Sequence, residues 1–84
     1  MNPSEIKIQV RCRDKEWRAG ASGLITLGQV REMAQIELNC PTVNTTPRLL
    51  LQHQGRGWKF PDHYILDRLV GFTHEYNLEF ELTT

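Results

Sequence analysis

Three residues with acid–base chemistry lie close together in the C-terminal half of the chain: Asp62, His63 and Asp67. A carboxylate beside an imidazole can hold and transfer a proton, as general acid–base catalysis requires. The sequence Pro61-Asp62 is, however, typical of a turn, and a turn explains these polar residues better than catalysis does. The chain also contains no nucleophile elbow, phosphate-binding loop, zinc-protease or dinucleotide-binding motif. We therefore predict that the protein is not an enzyme and binds no cofactor.

The thiol and imidazole groups are few and scattered. Cys12 and Cys40 could form one disulfide or half of a metal site, but the chain has no CxxC or HxxxH spacing. One bridge would not make a disulfide framework either. We therefore expect two reduced thiols, and we expect His53, His63 and His74 to lie in turns or at the surface rather than on a metal.

The most suggestive local feature is basic. The segment RCRDKEWR places Arg11, Arg13, Lys15 and Arg18 around a predicted hairpin. Such a cluster attracts an acidic protein surface over a long range. The same charges would also protect an exposed strand edge against unwanted pairing, and two acidic residues are interleaved among them. The sequence leaves both interpretations open.

Composition sets the broad class of the protein. The chain has 84 residues, a formal net charge of zero, 39% hydrophobic and 24% charged residues. We expect one small domain, residues 1–84, that buries roughly 60% of its unfolded surface. Zero net charge argues against a nucleic-acid partner. No apolar run approaches the ~20 residues that span a bilayer, and no signal-peptide pattern is present. We expect a cytoplasmic protein, free-standing or cut from a longer one, without membrane insertion and monomeric when isolated.

One segment predicts an amphipathic helix, residues 26–39 with the sequence TLGQVREMAQIELN. Thr26 and Gln29 have the spacing of a capping box. Asn39 suits the left-handed residue that ends a helix. The apolar residues recur at helical spacing and form one stripe. The stripe consists of Val30, Met33, Ala34 and Leu38.

Strands are predicted on both sides of this helix. The first and last, Glu5–Arg13 and Tyr76–Leu82, alternate apolar and polar residues strictly, so each buries one face. In a third strand Leu49 and Leu51 face inward and Leu50 faces outward. The shorter elements are strands at Glu16–Ala19, Arg48–His53 and Trp58–Phe60, a helical turn at Tyr64–Val70, a lead-in at 1–4 and a loop at 40–47.

This order of elements resembles the ubiquitin-like β-grasp family. The matching pieces are the helix opening TLGQV, RLLLQ in the place of the third strand, ILDRLV, and the closing NLEFEL. The resemblance covers nearly the whole chain, rests on pattern rather than on a signature motif, and does not resolve a subfamily. It implies an α+β domain with a four- to five-stranded mixed sheet packed on one helix. The first and last strands would pair in parallel at the centre, with the second and fourth towards the edges.

The resemblance also bears on function. The chain ends in Thr83 and Thr84 rather than in the diglycine of ubiquitin-like modifiers, so we do not expect conjugation unless the tail has been processed. In ubiquitin the partner-binding face is the outer face of the sheet. Carried over, that face contains Leu50, flanked by Gln52 and His53. The resemblance thus implies a non-catalytic protein–protein interaction module or adaptor, or a small accessory subunit, with a protein as its partner.

The remainder of that face is polar, which is equally typical of a solvated sheet surface. Lys7 and Arg11 could pair across the strands with Glu79 and Glu81, with a contribution of about 0.2–1 kcal/mol each. Such balanced charges would keep the surface soluble without any partner.

Two further comparisons remain open. Ras-binding and Ras-association domains are β-grasp folds that use a basic second strand to pair with the acidic strand of a GTPase, and RLLLQHQGRG resembles a strand and turn of Raf-type domains. By that resemblance Arg13, Lys15 and Arg18 would contact the GTPase. Small bacterial β-grasp subunits of type VII secretion systems and of multicomponent monooxygenases are the other comparison.

Overall fold

The computed structural model describes residues 5–40 and 46–83. The predicted lead-in at 1–4, most of the predicted loop at 40–47, and Thr84 lie outside the described residues. The elements in chain order are β1 (Glu5–Cys12), β2 (Lys15–Ser22), α1 (Leu27–Leu38), β3 (Arg48–His53), β4 (Arg56–Lys59), α2 (Leu66–Thr73) and β5 (Asn77–Thr83).

The strands form one mixed sheet in the order β2-β1-β5-β3-β4. β1 and β5, the two strictly alternating segments, lie in parallel in the middle, with Val10 opposite Phe80. The other pairings are antiparallel, and β2 and β4 form the edges. This confirms the predicted α+β, β-grasp arrangement, with five strands.

The core between the sheet and the helices consists of the residues that the alternation predicts. Successive side chains of a strand point to opposite faces, so every second residue is buried. The buried side chains of β1, β3 and β5, each at most 7% exposed, are Ile6, Ile8, Val10, Cys12, Leu49, Leu51, Leu78, Phe80 and Leu82.

Helix α1 begins and ends where the sequence predicts, because both caps form. The Thr26 hydroxyl accepts a hydrogen bond from the Gln29 amide at 3.2 Å, and the Gln29 side-chain oxygen accepts one from the Thr26 amide at 3.0 Å. Asn39 adopts the left-handed conformation, with φ 46°, at the C-cap. The predicted stripe packs against the core together with Leu27, and only its Met33 is half-buried.

The two edge strands differ from their predicted ranges. β2 continues through Ala19 to Ser22, where it still pairs with Glu5 of β1. β4 begins at Arg56, two residues before the predicted start at Trp58, and ends before Phe60. The alternation of side chains does not reveal these ends, because pairing of the backbone with a neighbouring strand determines them.

A second helix replaces the single turn predicted at Tyr64–Val70. α2 continues to Thr73 and buries Leu66 and Leu69 completely, so the sheet packs on two helices rather than on one. The sequence conceals this helix because Gly71 is a poor helix former, and burial of the apolar face stabilises it instead. Neither helix of the described residues is long and apolar enough to cross a membrane.

Backbone hydrogen bonds join the first turns of the two helices. The amide of Leu27 donates to the carbonyl of Tyr64 at 2.8 Å, and the amide of Leu66 donates to the carbonyl of Ile25 at 2.9 Å. The first amides of a helix have no partner within the helix. Each helix therefore obtains partners from the segment that leads into the other.

A disulfide bond joins Cys12 to Cys40. The expectation of two reduced thiols is therefore wrong. The two residues are 28 positions apart, but the end of β1 and the residue after the α1 cap are neighbours, with 6.6 Å between their Cα atoms. A disulfide can span that separation. Disulfides are typical of oxidising compartments and rare in the cytosol, so this bond does not support the predicted cytoplasmic location. The location remains a prediction.

Candidate functional site

Leu50 and Gln52 lie on the outer face of the sheet, the face turned away from the helices. Leu50 is half-buried between Glu81 of β5 and Lys59 of β4, and Gln52 lies beside Glu79. Leu50 is the one apolar side chain among the described residues of this face. Protein–protein interfaces typically have an apolar centre surrounded by polar residues, and Leu50 with its charged neighbours has the same arrangement on a smaller scale.

His53 does not belong to this face. It is three residues after Leu50 in the same strand, so its side chain lies on the opposite side of the sheet. There its ring packs edge-on against Phe72 of α2, with 5.4 Å between the ring centroids. The prediction that His53 flanks Leu50 is wrong, because it placed neighbours in sequence on one face of a strand.

The charges of the outer face are arranged differently from the prediction. The register places Gln9 rather than a basic residue opposite Glu79, and Arg11 opposite Glu81. Arg11 forms its ion pair with Glu16 of β2 instead, at 3.8 Å. Among residues 5–40 and 46–83, neither Glu79 nor Glu81 forms an ion pair. Two carboxylates of the central strand are thus left without a basic partner.

The basic cluster of the first hairpin does not form one surface. Arg18 and Arg11 share a single carboxylate, that of Glu16, with the closer contact of 2.7 Å made by Arg18. Lys15 lies on the helix side, where its ammonium donates to the carbonyl of Leu38 at 3.3 Å. A cation at that position stabilises the end of α1.

Arg13 is placed differently from the other three. It lies in the turn between β1 and β2 with φ 58°, a left-handed conformation, and its side chain is exposed. Arg13 has no ion pair among the described residues. It is therefore the one member of the predicted basic cluster with neither an ion pair nor a side-chain hydrogen bond among the described residues.

Polar grooves border the outer face. One, of about 640 Å³, lies over β2, β1 and β5, with Gly20 and Asn77 among its lining residues. A smaller one of about 200 Å³ has Gln9 and Gln52 on opposite sides. Leu50 lines neither groove, but Glu81, its neighbour on β5, lines the smaller one.

Asp62, His63 and Asp67 do not come together as an acid–base group. The Arg31 guanidinium donates to Asp62 and holds the pKa of that carboxyl below its usual range. The His63 ring packs on Tyr64 at 5.2 Å, and the Asp67 carboxyl lies against the backbone of Gly23. No group of three or more acidic, histidine or cysteine residues in the described ranges could hold a metal ion.

A cluster of aromatic rings was missed by the sequence analysis. It lies on the helix side of the sheet, between β4 and α2. Four of the seven Trp, Tyr and Phe residues of the chain lie between positions 58 and 72, and this concentration in the sequence is the feature that could have indicated the cluster. The unpredicted α2 supplies one ring, so no single segment shows the cluster. We call it the aromatic patch: His53, Trp58, Phe60, Tyr64 and Phe72.

No family model and no curated protein sequence matches the chain. Its structure is similar to a ubiquitin of Caldiarchaeum subterraneum, with 20% identity, a TM-score of 0.64 and 96% of each chain covered. It is also similar to a ubiquitin-like domain of an Arabidopsis thaliana protein, with 18% identity, a TM-score of 0.63, and 96% and 80% of the two chains covered. A third similar structure is the C-terminal ubiquitin-like domain of mouse tubulin-specific chaperone e, with 13% identity, a TM-score of 0.63, and 96% and 89% of the two chains covered. The chain therefore has the ubiquitin-like β-grasp fold.

Proposed function

We propose that the chain is a non-catalytic, ubiquitin-like protein-interaction module, free-standing or an accessory subunit, that docks a protein on the outer face of its sheet. The fold supports this, since the similar structures include ubiquitin-like domains of larger proteins. A sheet face presents side chains at fixed spacing, which suits recognition without catalysis.

The observation that carries the proposal is the setting of Leu50. Its neighbours across the strands, Glu81 and Lys59, have opposite charges. An apolar side chain of a partner would cover Leu50, while the charges around it would orient the partner. The carboxylates of Glu79 and Glu81, which have no ion pair among the described residues, would accept basic groups of that partner.

The test compares Leu50→Arg with Ile36→Arg. Ile36 lies on α1 with 77% of its surface exposed, so it is a control for exchanging an apolar surface side chain for arginine away from the half-buried Leu50. Immobilised wild type and both variants are incubated with cell extract, and the captured proteins are quantified by mass spectrometry. We expect a protein that wild type and Ile36→Arg retain and Leu50→Arg loses.

The recovered protein is then titrated into the ¹⁵N-labelled domain. Amide shifts at Gln9, Leu50, Gln52 and Glu79 would support docking on the outer face. Equal capture by both variants, or shifts elsewhere, would contradict it.

The β2 edge supports a second candidate, a Ras-binding-like mode in which a partner strand extends the sheet. β2 is an eight-residue edge strand, long enough for such pairing. Arg18 shares the Glu16 carboxylate with Arg11. Arg13 has no ion pair among the described residues and Lys15 donates only to a neutral carbonyl, so Arg13 and Lys15 both add steering charge. Capture that is lost in Arg13→Glu, decreases with salt and is unaffected in Leu50→Arg would favour this mode.

A further inference from the structure

Phe72 is the centre of the aromatic patch. Its ring lies edge-on to three others, with centroid distances of 5.2 Å to Trp58, 5.4 Å to Phe60 and 5.4 Å to His53. Phe60 continues the contact to Tyr64 at 5.8 Å. Edge-to-face pairs of this kind contribute attraction beyond that of the area that they bury. The rings of the patch therefore support one another and form one continuous surface.

The patch is apolar but not buried. Phe72 is 40% exposed, and the other four residues are half-buried. Aromatic rings that serve only to fill a core are normally covered, and exposed aromatic rings that lie next to one another are typical of binding surfaces. Trp58, Phe60 and Tyr64 pack against the core, whereas Phe72 is the most exposed ring of the patch.

Two arginines stand at the ends of the patch. The guanidinium of Arg56 lies over the Trp58 ring at 4.7 Å, and that of Arg68 lies over the Tyr64 ring at 4.6 Å. A planar guanidinium can receive a carboxylate in a two-pronged hydrogen bond while its central carbon lies over an aromatic ring. Both arginines are exposed, so their N–H donors are accessible to such a carboxylate.

The nearby carboxylates do not neutralise these arginines. Among the described residues neither Arg56 nor Arg68 forms an ion pair. Asp62 pairs with Arg31, and the carboxyl of Asp67 lies against Gly23. The patch therefore combines an apolar centre with two free positive charges.

We propose that the aromatic patch binds an acidic peptide segment of another protein, with an apolar side chain seated on Phe72 and carboxylates paired with Arg56 and Arg68. Charge complementarity selects this occupant, because the open rings require an apolar anchor and the unpaired arginines require flanking acidic groups. The surface lies on the opposite side of the sheet from Leu50. Binding here is therefore independent of the docking face proposed above.

The experiment titrates the ¹⁵N-labelled protein with the synthetic peptide DEDFLEDE. The indole N–H of Trp58, which donates to the His53 carbonyl at 3.1 Å, reports from inside the patch. The indole of Trp17, on β2, is the internal control. We expect saturable shifts of the Trp58 signal, little change at Trp17, and weaker binding as salt is raised.

Three variants test the contacts. Arg56→Gln with Arg68→Gln should weaken binding roughly tenfold or more, because both charge-assisted contacts are lost. The double variant Arg56→Lys with Arg68→Lys keeps the charge but lacks the planar donors. Its affinity for the peptide should lie between those of wild type and the double glutamine variant. The matched control, Lys7→Gln with Arg13→Gln, removes the same net charge from exposed positions away from the patch and should bind the peptide like wild type.

Several results would overturn the proposal. They are equal weakening by the control pair, shifts at Trp17 rather than Trp58, and equal binding of a peptide with lysine at each acidic position. Binding to phosphatidylserine vesicles without binding to the peptide would also overturn it, since a membrane would then be the occupant. Phe72→Ala, checked for folding by its amide spectrum, should abolish the Trp58 response to the peptide.

Discussion

Thr26 and Ile65 lie opposite each other in an isolated antiparallel bridge that joins the starts of the two helices. The cap of α1 and the entry into α2 are thus one hydrogen-bonded unit. Thr26→Ala removes the capping hydroxyl and should lower the free energy of unfolding by about 1 kcal/mol. Urea denaturation measures this loss.

The bridge adds a more specific expectation for the same variant. Amide exchange at Leu66, which donates to the Ile25 carbonyl, should accelerate along with exchange in the first turn of α1. Acceleration confined to α1 would show that the two helix starts open independently.

Phe80 lies in the centre of the sheet with 3% of its surface exposed. Phe80→Ala should cost about 3–5 kcal/mol through the lost contacts and the resulting cavity. That is a large part of the stability of a domain this small. The control is Tyr76→Ala, since Tyr76 is 56% exposed and its loss should change little. If Phe80→Ala has the same midpoint of thermal unfolding as wild type, the assignment of Phe80 to the core is refuted.

The disulfide closes a loop of 28 positions between Cys12 and Cys40. Chain entropy predicts that the bond stabilises the fold by about 3–4 kcal/mol. Urea titrations with and without a dithiol reductant should differ by about this amount for wild type. The double variant Cys12→Ser with Cys40→Ser should unfold at a lower urea concentration than oxidised wild type, with or without reductant. A wild-type unfolding curve that does not change when reductant is added would refute the stabilisation by the disulfide.

The ion pair between Arg31 and Asp62 gives a pH dependence. Because the folded pKa of Asp62 lies below its ordinary value of 3.8, the pair contributes stability above that pH and loses it as the pH falls through the folded pKa. The Asp62 side chain is 57% exposed, so solvent screening keeps the effect small.

The measurement is the stability difference between wild type and Asp62→Asn across acidic pH. It should be constant near neutral pH and vanish once the carboxyl is protonated. Asp14→Asn, at an exposed turn position, is the control for removing a carboxylate. A difference that grows on acidification would have the wrong sign.

The parts of the fold that the sequence predicts are those determined by local patterns. Strict alternation located β1 and β5, and the pairing of Thr26 with Gln29 located the start of α1. Features that depend on contacts between distant segments were missed. The approach of Cys40 to Cys12 is one, and α2, whose apolar residues need the sheet in order to be helical, is another.

The candidate site was predicted less well for the same reason. Leu50 could be placed on the outer face by counting along one strand. The partners of Arg11, Lys15 and Arg18 depend on the β1–β2 register and on the end of α1, neither of which the hairpin sequence contains. The aromatic patch combines β4 with the unpredicted α2, so its rings were not expected to meet.

The central position of β5 has a consequence for synthesis on the ribosome. β5 is the last of the five strands to be made, yet it lies between β1 and β3. Without β5 the chain can form only two separate hairpins, β1–β2 and β3–β4, whose inner edges are unpaired. Unpaired edges invite association with other chains. A released chain that is truncated before Asn77 should therefore be a substrate for chaperones, whereas a chain that includes Asn77–Thr83 should close the sheet.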